Sequence, residues 1–292
     1  MTYALTGTGI WDVALRYGDR GEAKEAAAEL EELGFSAVWI PDAGGEDLFG
    51  AFDALLGATQ ALTVASGILN LWMQDPVASA AEYDRLVNEH GDRLLIGIGV
   101  SHAPMINQML EGSPYVRPID RMADYLTALD NAEPPLPASS RVLAALGPRM
   151  LELARDRSAG AHPYLVSPEH TATAREILGP DRLLAPEQGV VFETDPDKAR
   201  QIARNNMAMY FNLPNYVNNW KRYGFTDEDV AAPGSDRLVD AMVAWGDEDA
   251  ISERVRQHTD AGADHVCIQV MFDREGMELP REQWRRLAAA LC

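Results

Sequence analysis

Short apolar runs alternate with amphipathic stretches along nearly the whole chain. Leu5 to Ile10 reads as a first strand. Arg20 to Leu33, rich in Ala and Glu, reads as a helix with Gly34 at its C′ position. Phe35 to Ile40 is a second strand stopped by Pro41-Asp42, and a helix follows over Leu48 to Gln60. Leu62 to Leu69 is a third strand, and Pro76 to His90 a helix with proline in its first turn. Arg93 to Gly99 is a fourth, then a looser segment from Ser101 to Val116 and a helix over Pro118 to Asp130. Arg141 to Leu146, Gly160 to Val166 and Leu184 to Phe192 are strands five to seven, with helices starting at Pro148, Pro168 and Pro196. His265 to Met271 is the eighth, before a last helix over Pro280 to Leu291. The Pro-rich stretch from Asn131 to Pro137 reads as a long loop rather than a linker, because the alternation resumes at once.

Eight strands, each followed by a helix, predict a parallel sheet closed into a (β/α)8 (TIM) barrel, since an open doubly wound sheet does not call for eight near-equal units. The length, 292 residues, suits that architecture as a single domain over residues 1–292; such a barrel takes about 250 residues. Residues 205–245 exceed one helix and read as an insertion between strands seven and eight, carrying Tyr210, Phe211, Tyr216, Trp220, Tyr223, Phe225 and Trp245.

Composition is that of a globular protein, 47% hydrophobic and 24% charged. The 45 acidic and 25 basic side chains give a formal net charge of −20. Such a surface repels phosphate backbones and anionic lipid, so neither nucleic acid nor membrane is an expected partner. It also means that an anionic cofactor must be held by local donors. Cys267, in an apolar strand, and Cys292, the last residue, are a poor disulfide pair, and no Cys/His spacing suggests zinc. Residues 1–4 open with no basic n-region, and the reading is a soluble, reducing, cytoplasmic location.

In a barrel of this kind chemistry sits at the strand C-terminal ends. Gly147-Pro148-Arg149 falls there, as an anion-capturing helix start or an ordinary capping turn. His102 and His162 fall at strand ends, where a histidine can act as acid or base. His90, His170, His258 and His265 fall within helices or at element starts and read as structural or solvated. Asp42 ends strand two, as a binder of a hydroxyl or ring N–H or as a turn former before Gly44-Gly45. The Gly97-Ile98-Gly99 segment lacks the third glycine of a dinucleotide fingerprint.

Several segments, in order and spacing, resemble the luciferase-like monooxygenase superfamily, and within it the branch of oxidoreductases that use the deazaflavin coenzyme F420. They are Gly34 to Pro41, Ala65 to Trp72 with Asp75-Pro76-Val77, Arg93 to Pro104, Tyr115 to Arg121, Ala144 to Met150, Ala161 to Thr171, Leu184 to Gln188, and Leu213 to Tyr216. The resemblance implies hydride transfer between F420 and a small-molecule substrate, with the ring across the strand ends. It implies a non-proline cis peptide at Gly67–Ile68 beneath the ring, with Asp42, Asn70, Ser101 and His102 around it. Gly147, Pro148, Arg149 and the Ala161-His162 region would hold the phosphate. Trp11, Trp72, Tyr216 and Trp220 would shape an apolar substrate pocket or pack the fold. Many relatives carry an acidic residue followed by His at the end of strand two, and some a Glu at the end of strand four; here those positions are Ala43 and Val100. Catalysis is therefore expected from His102, with Ser101 and Asp42. An FMN-dependent monooxygenase is the alternative on the same fold. A barrel subunit that has lost its cofactor is the alternative of another class. The superfamily also implies a homodimer.

Overall fold

The computed structural model describes residues 5–45, 47–110 and 115–292. Residues 1–4, and 111–114 in the segment from Ser101 to Val116, lie outside the described residues. The chain runs β1 (Gly7–Trp11), α1 (Ala14–Tyr17), α2 (Arg20–Glu32), β2 (Ala37–Ile40), α3 (Leu48–Gly57), β3 (Thr63–Ser66), β4 (Leu69–Asn70), α4 (Pro76–His90), β5 (Leu94–Gly99), α5 (Ala103–Met109) and α6 (Pro118–Asp130). It continues with β6 (Arg141–Leu143), α7 (Pro148–Arg157), β7 (Gly160–Ala161), α8 (Pro168–Leu178), β8 (Leu183–Leu184), β9 (Glu187–Val191) and α9 (Pro196–Met207). The last elements are α10 (Pro214–Arg222), α11 (Asp227–Val230), α12 (Asp236–Met242), β10 (Val243–Trp245), α13 (Glu248–Asp260), β11 (His265–Val270) and α14 (Arg281–Leu291).

Every pairing among the described strands is parallel, in the order β10-β9-β11-β1-β2-β3-β5-β6-β7-β8, with β4 also on β5. Helices cover the outer face. β2, β3, β5 and β9 are accordingly buried at every position, as strands covered on both faces must be. One apolar cluster lies between sheet and helices and includes Val38, Phe52 and Leu86. A second lies on the concave side around Trp11, Trp39, Val142 and Cys267. A third packs the insertion, around Trp220, Phe211 and Met207.

The closed (β/α)8 barrel is not what forms. The sheet is a curled, open half-barrel whose edges stand 18 Å apart. Two local features account for this. The seventh strand, expected as one run, breaks at Ala185-Pro186 into β8 and β9, since proline has no N–H for a ladder. Beyond the break, one side of β9 takes β11 and the other takes β10, with Val243 opposite Gly189 and Trp245 opposite Val191. That second side is therefore not free for β7, whose neighbours are β6 and the two-residue β8. Single bonds, from Ala185 N–H to Ala161 O at 3.0 Å and from Glu187 N–H to Pro163 O at 2.8 Å, tie the broken stretch to the β7 side.

Other boundaries also differ from the sequence reading. The third strand is interrupted at Gly67 and Ile68, whose peptide bond is cis. The fifth and sixth strands are shorter than the apolar runs that announce them. The looser segment after β5 contains α5. Residues 205–245 hold a 3-10 turn (Tyr210–Asn212), α10 to α12 and the unforeseen β10. No described helix is long and apolar enough to cross a membrane.

Candidate active site

The C-terminal ends of the strands and the insertion enclose a cleft of about 670 Å³. Strand ends supply Trp11, Asp42, Gly67, His102, Gly147 and His162, and the insertion supplies Tyr210, Tyr216 and Arg222. A larger groove of about 950 Å³ runs along the outside of α2 and α3. Two of its arginines are paired within it, Arg20 with Asp47 at 2.8 Å and Arg85 with Asp53 at 3.3 Å. The strand-end cleft is the one bordered by polar atoms that lack partners.

Its floor is Gly67 and Ile68. The Trp11 indole N–H donates to Gly67 O at 2.9 Å. A Cβ on Gly67 would stand 2.6 Å from Trp11 Nε1 and 3.0 Å from His162 Nε2, so no side chain fits there. Gly99 is confined in the same way, with Ile68 Cδ1 at 2.5 Å from its notional Cβ.

His162 is fully buried and stacks on Trp39 with ring centroids 4.2 Å apart. Its Nδ1 lies 2.7 Å from Ala185 O, which only accepts, so Nδ1 carries the proton and Nε2 is a lone-pair acceptor. That Nε2 is buried without a partner. Burial pushes the imidazole down to about 4, against the opposing bond to Ala185, so the ring is neutral at physiological pH. Asp42 presents a similar atom. Its Oδ2 accepts from Asn70 N–H at 3.3 Å and from Gln74 Nε2 at 3.1 Å, while buried Oδ1 has no partner. Two buried acceptors beside a flat floor call for N–H or O–H donors on a ligand.

His102 stands at the N-cap of α5, half-buried, with Nδ1 3.4 Å from the Asn215 amide and its ring against Tyr216. Burial lowers its pKa and the Asn215 contact opposes the shift. Ser101 takes a left-handed backbone, φ 53°, and its carbonyl receives the Tyr115 hydroxyl at 3.3 Å. On the facing wall the Tyr210 hydroxyl donates to Tyr164 at 3.1 Å, and Tyr164 donates to Gln269 Oε1 at 2.7 Å. Burial holds the Tyr164 and Tyr216 phenols well above their ordinary value and Tyr210 at about 12, so all three stay protonated.

At the other end, Gly147 is the N-cap of α7 with no side-chain cap, and Met150 and Leu151 N–H groups bond back to Gly147 O. Arg149 and Arg222 border this end of the cleft. Arg222 bonds Asn219 Oδ1 at 2.8 Å, and its NH2 lies 3.8 Å from the notional Cβ of Gly147. Among the described residues neither guanidinium has a carboxylate partner, although most arginines of this acidic chain do.

Asp42, Ser101, His102, Gly67, Ile68, Gly147, Pro148, Arg149, His162, Trp11 and Tyr216 thus meet at one cleft. Four of the expected residues stand behind it. Asn70 is buried and braces Asp42, while its Oδ1 receives Trp72 N–H at 3.1 Å. Ala161 lies in the β7 core. Trp72 donates from its indole to Val100 O at 2.8 Å and packs on Arg121 and Tyr115. Trp220 is buried in the core of the insertion. His162 lies against Gly67 in the floor. Arg222 and Asn215 were not singled out from the sequence; the helical spacing of Asn215 and Tyr216 to Arg222 along α10 is the signal that finds them.

The structure is thus a parallel α/β sheet with an aromatic cleft at its strand ends, bordered by unpartnered acceptors. The family model for luciferase-like monooxygenases matches residues 3–265, and the chain belongs to that family. The fold is shared with an F420-dependent secondary alcohol dehydrogenase, solved with an F420-acetone adduct, at TM-score 0.75 and 14% identity over 100% of this chain and 98% of that one. It is shared with a coenzyme F420-dependent tetrahydromethanopterin reductase of Methanopyrus kandleri, at TM-score 0.75 and 16% identity over 97% of each chain. The oxygenating constituent of a 3,6-diketocamphane monooxygenase of Pseudomonas putida, solved with FMN, follows at TM-score 0.67 and 13% identity over 97% of this chain and 96% of that one. At these identities the likeness is one of fold. No curated protein sequence matches the chain.

Proposed function

We propose that the protein is an oxidoreductase that transfers a hydride between coenzyme F420 and a small organic substrate. One observation carries this reading. The glycine floor is flanked by two buried acceptors, Asp42 Oδ1 and His162 Nε2, and faces two unpaired arginines at the other end of the cleft. That set fits a planar ring with N–H groups joined to an anionic tail. The deazaflavin supplies the hydride chemistry when bound. Gly67 and Ile68 underlie its ring, Asp42 and His162 accept from it, and Gly147, Arg149 and Arg222 hold the anionic end. The Asn215 amide donates to His102 Nδ1, so the neutral ring that burial favours carries its proton on Nε2, free to donate it to the substrate oxygen. Ala43 and Val100, where some relatives carry His and Glu, leave that task to His102. The tyrosine wall excludes water. The fold likeness to two F420 enzymes supports the choice of cofactor.

The test is a titration of the purified protein with F420 and, separately, FMN, read by cofactor fluorescence. Saturable micromolar binding of F420 is expected. Binding of FMN at that affinity with none of F420 overturns the reading in favour of a flavin monooxygenase.

A further inference from the structure

We propose that the Tyr216 hydroxyl is the donor that recognises an oxygen atom of the substrate, so that the second ligand of the cleft is a mainly apolar molecule bearing a carbonyl or hydroxyl group. The inference rests on the reading that this cleft is the active site. It adds a group to which the family resemblance assigned only pocket lining.

The hydrogen-bond inventory of the wall leads to it. Three phenols meet there, with Tyr210 and Tyr216 centroids 4.8 Å apart and Tyr164 and Tyr210 5.5 Å apart. Two of the hydroxyl protons are already committed, Tyr210 to Tyr164 and Tyr164 to Gln269. The third has no partner in the protein, although Tyr216 is only 6% exposed and borders the cleft. The ring is packed into the protein while its hydroxyl opens on the cleft, so a ligand that displaces the water there must offer an acceptor or leave a donor unsatisfied at a cost of about 1–3 kcal/mol. The neighbourhood decides what completes it. Asp42 Oδ1 and His162 Nε2 are acceptors and demand donors, whereas Tyr216 offers a donor and demands an acceptor. A single ring ligand placed on the floor satisfies the first pair. The phenol awaits an oxygen, beside His102, whose ring centroid is 5.6 Å from that of Tyr216. The lining of the cleft also includes the apolar side chains of Met105, Ile119 and Met209. The phenol keeps its proton throughout the physiological range, because burial raises its pKa.

The experiment compares wild type with Tyr216→Phe, using cyclohexanol and cyclohexanone as oxygenated probes and methylcyclohexane as a hydrocarbon of similar size. Binding is followed by protein NMR shifts of cleft residues, with and without F420. Both oxygenated probes are expected to bind about tenfold more weakly to the variant, the effect of losing one hydrogen bond. The hydrocarbon is expected to bind both proteins alike. Since the hydroxyl has no partner within the protein, Tyr216→Phe should unfold at the same temperature as wild type. Equal affinity of the two proteins for the oxygenated probes, no binding of those probes to wild type, or a clear loss of thermal stability in the variant each overturns the proposal. Loss of F420 binding by wild type would sink the cofactor assignment, while the cofactor-free titrations still judge Tyr216.

Discussion

At Gly67 a single methyl group would disturb both the packing and the cleft. Its notional Cβ collides with the Trp11 indole nitrogen, itself bonded to Gly67 O, and crowds His162. Neither neighbour can yield cheaply, since His162 is stacked on Trp39 and bonded to Ala185. Gly67→Ala should therefore cost about 1–3 kcal/mol of stability through overpacking. It should also weaken F420 binding by displacing Trp11 or His162. A variant with wild-type melting temperature and cofactor affinity would show that the floor has slack. At this scale the strand-end rule made Asp42, His102 and His162 visible in the sequence, because each follows an apolar run. Their chemistry was not visible. That His162 is an acceptor follows from Ala185 O, and that Asp42 keeps one free oxygen follows from Asn70 and Gln74 taking the other. Arg222 and the idle Tyr216 hydroxyl exist as features only once α10 has docked.

Helix starts explain where part of the acidic excess is spent. Asp19, Asp47, Asp75, Asp195 and Asp247 each accept a backbone N–H at the first turn of α2, α3, α4, α9 and α13. A carboxylate there satisfies an orphan donor and meets the positive end of the helix dipole. Asp247→Ala removes the bond to Ala250 N–H and should cost about 1 kcal/mol. No residue of α13 borders the cleft, so F420 affinity should be unchanged while the thermal midpoint falls. A fall in affinity would mean that α13 is coupled to the site. The helices were legible because proline, aspartate and glycine punctuate them. Most strands were legible as apolar runs. What escaped was the interruption of two runs, at Gly67–Ile68 and Ala185-Pro186, and the short β10. Val243-Ala244-Trp245 falls within the segment read only as an insertion until its pairing with β9 is seen, and that pairing occupies the side of β9 that closure would need.

Across the whole molecule, buried ionisable groups set how stability follows pH. His162 and His170 are held down to about 4, and His258 and His265 to about 3, all chiefly by burial. As pH falls below about 6.5 the unfolded chain takes up protons at these residues and the folded one does not. Stability present above that pH is lost as the pH falls toward 4 and 3. Glu187 acts in the opposite sense. Burial raises it to about 8 despite the bond from Leu165 N–H, so the folded state keeps a proton that the unfolded state has lost. Stability thus declines as pH rises from about 4.5 to 8 on its account. The four histidines outweigh one carboxyl, which places the optimum near pH 6.5, with a steep fall below it and a gentle one above. Melting temperatures of wild type and Glu187→Gln across that range check this: the variant should lose the decline toward pH 8, and an unchanged decline would remove Glu187 from the account. The division between sheet and insertion has a consequence of a different kind. The floor lies between two strands and is tied to the end of β2 by main-chain bonds, from Gly67 N–H to Ile40 O and from Asp42 N–H to Ile68 O, whereas Asn215, Tyr216 and Arg222 reach the cleft from one short helix of a separately packed segment. Mutations along that helix can change which molecules are admitted without disturbing the seat beneath, so selectivity and chemistry are free to evolve at different rates within one chain.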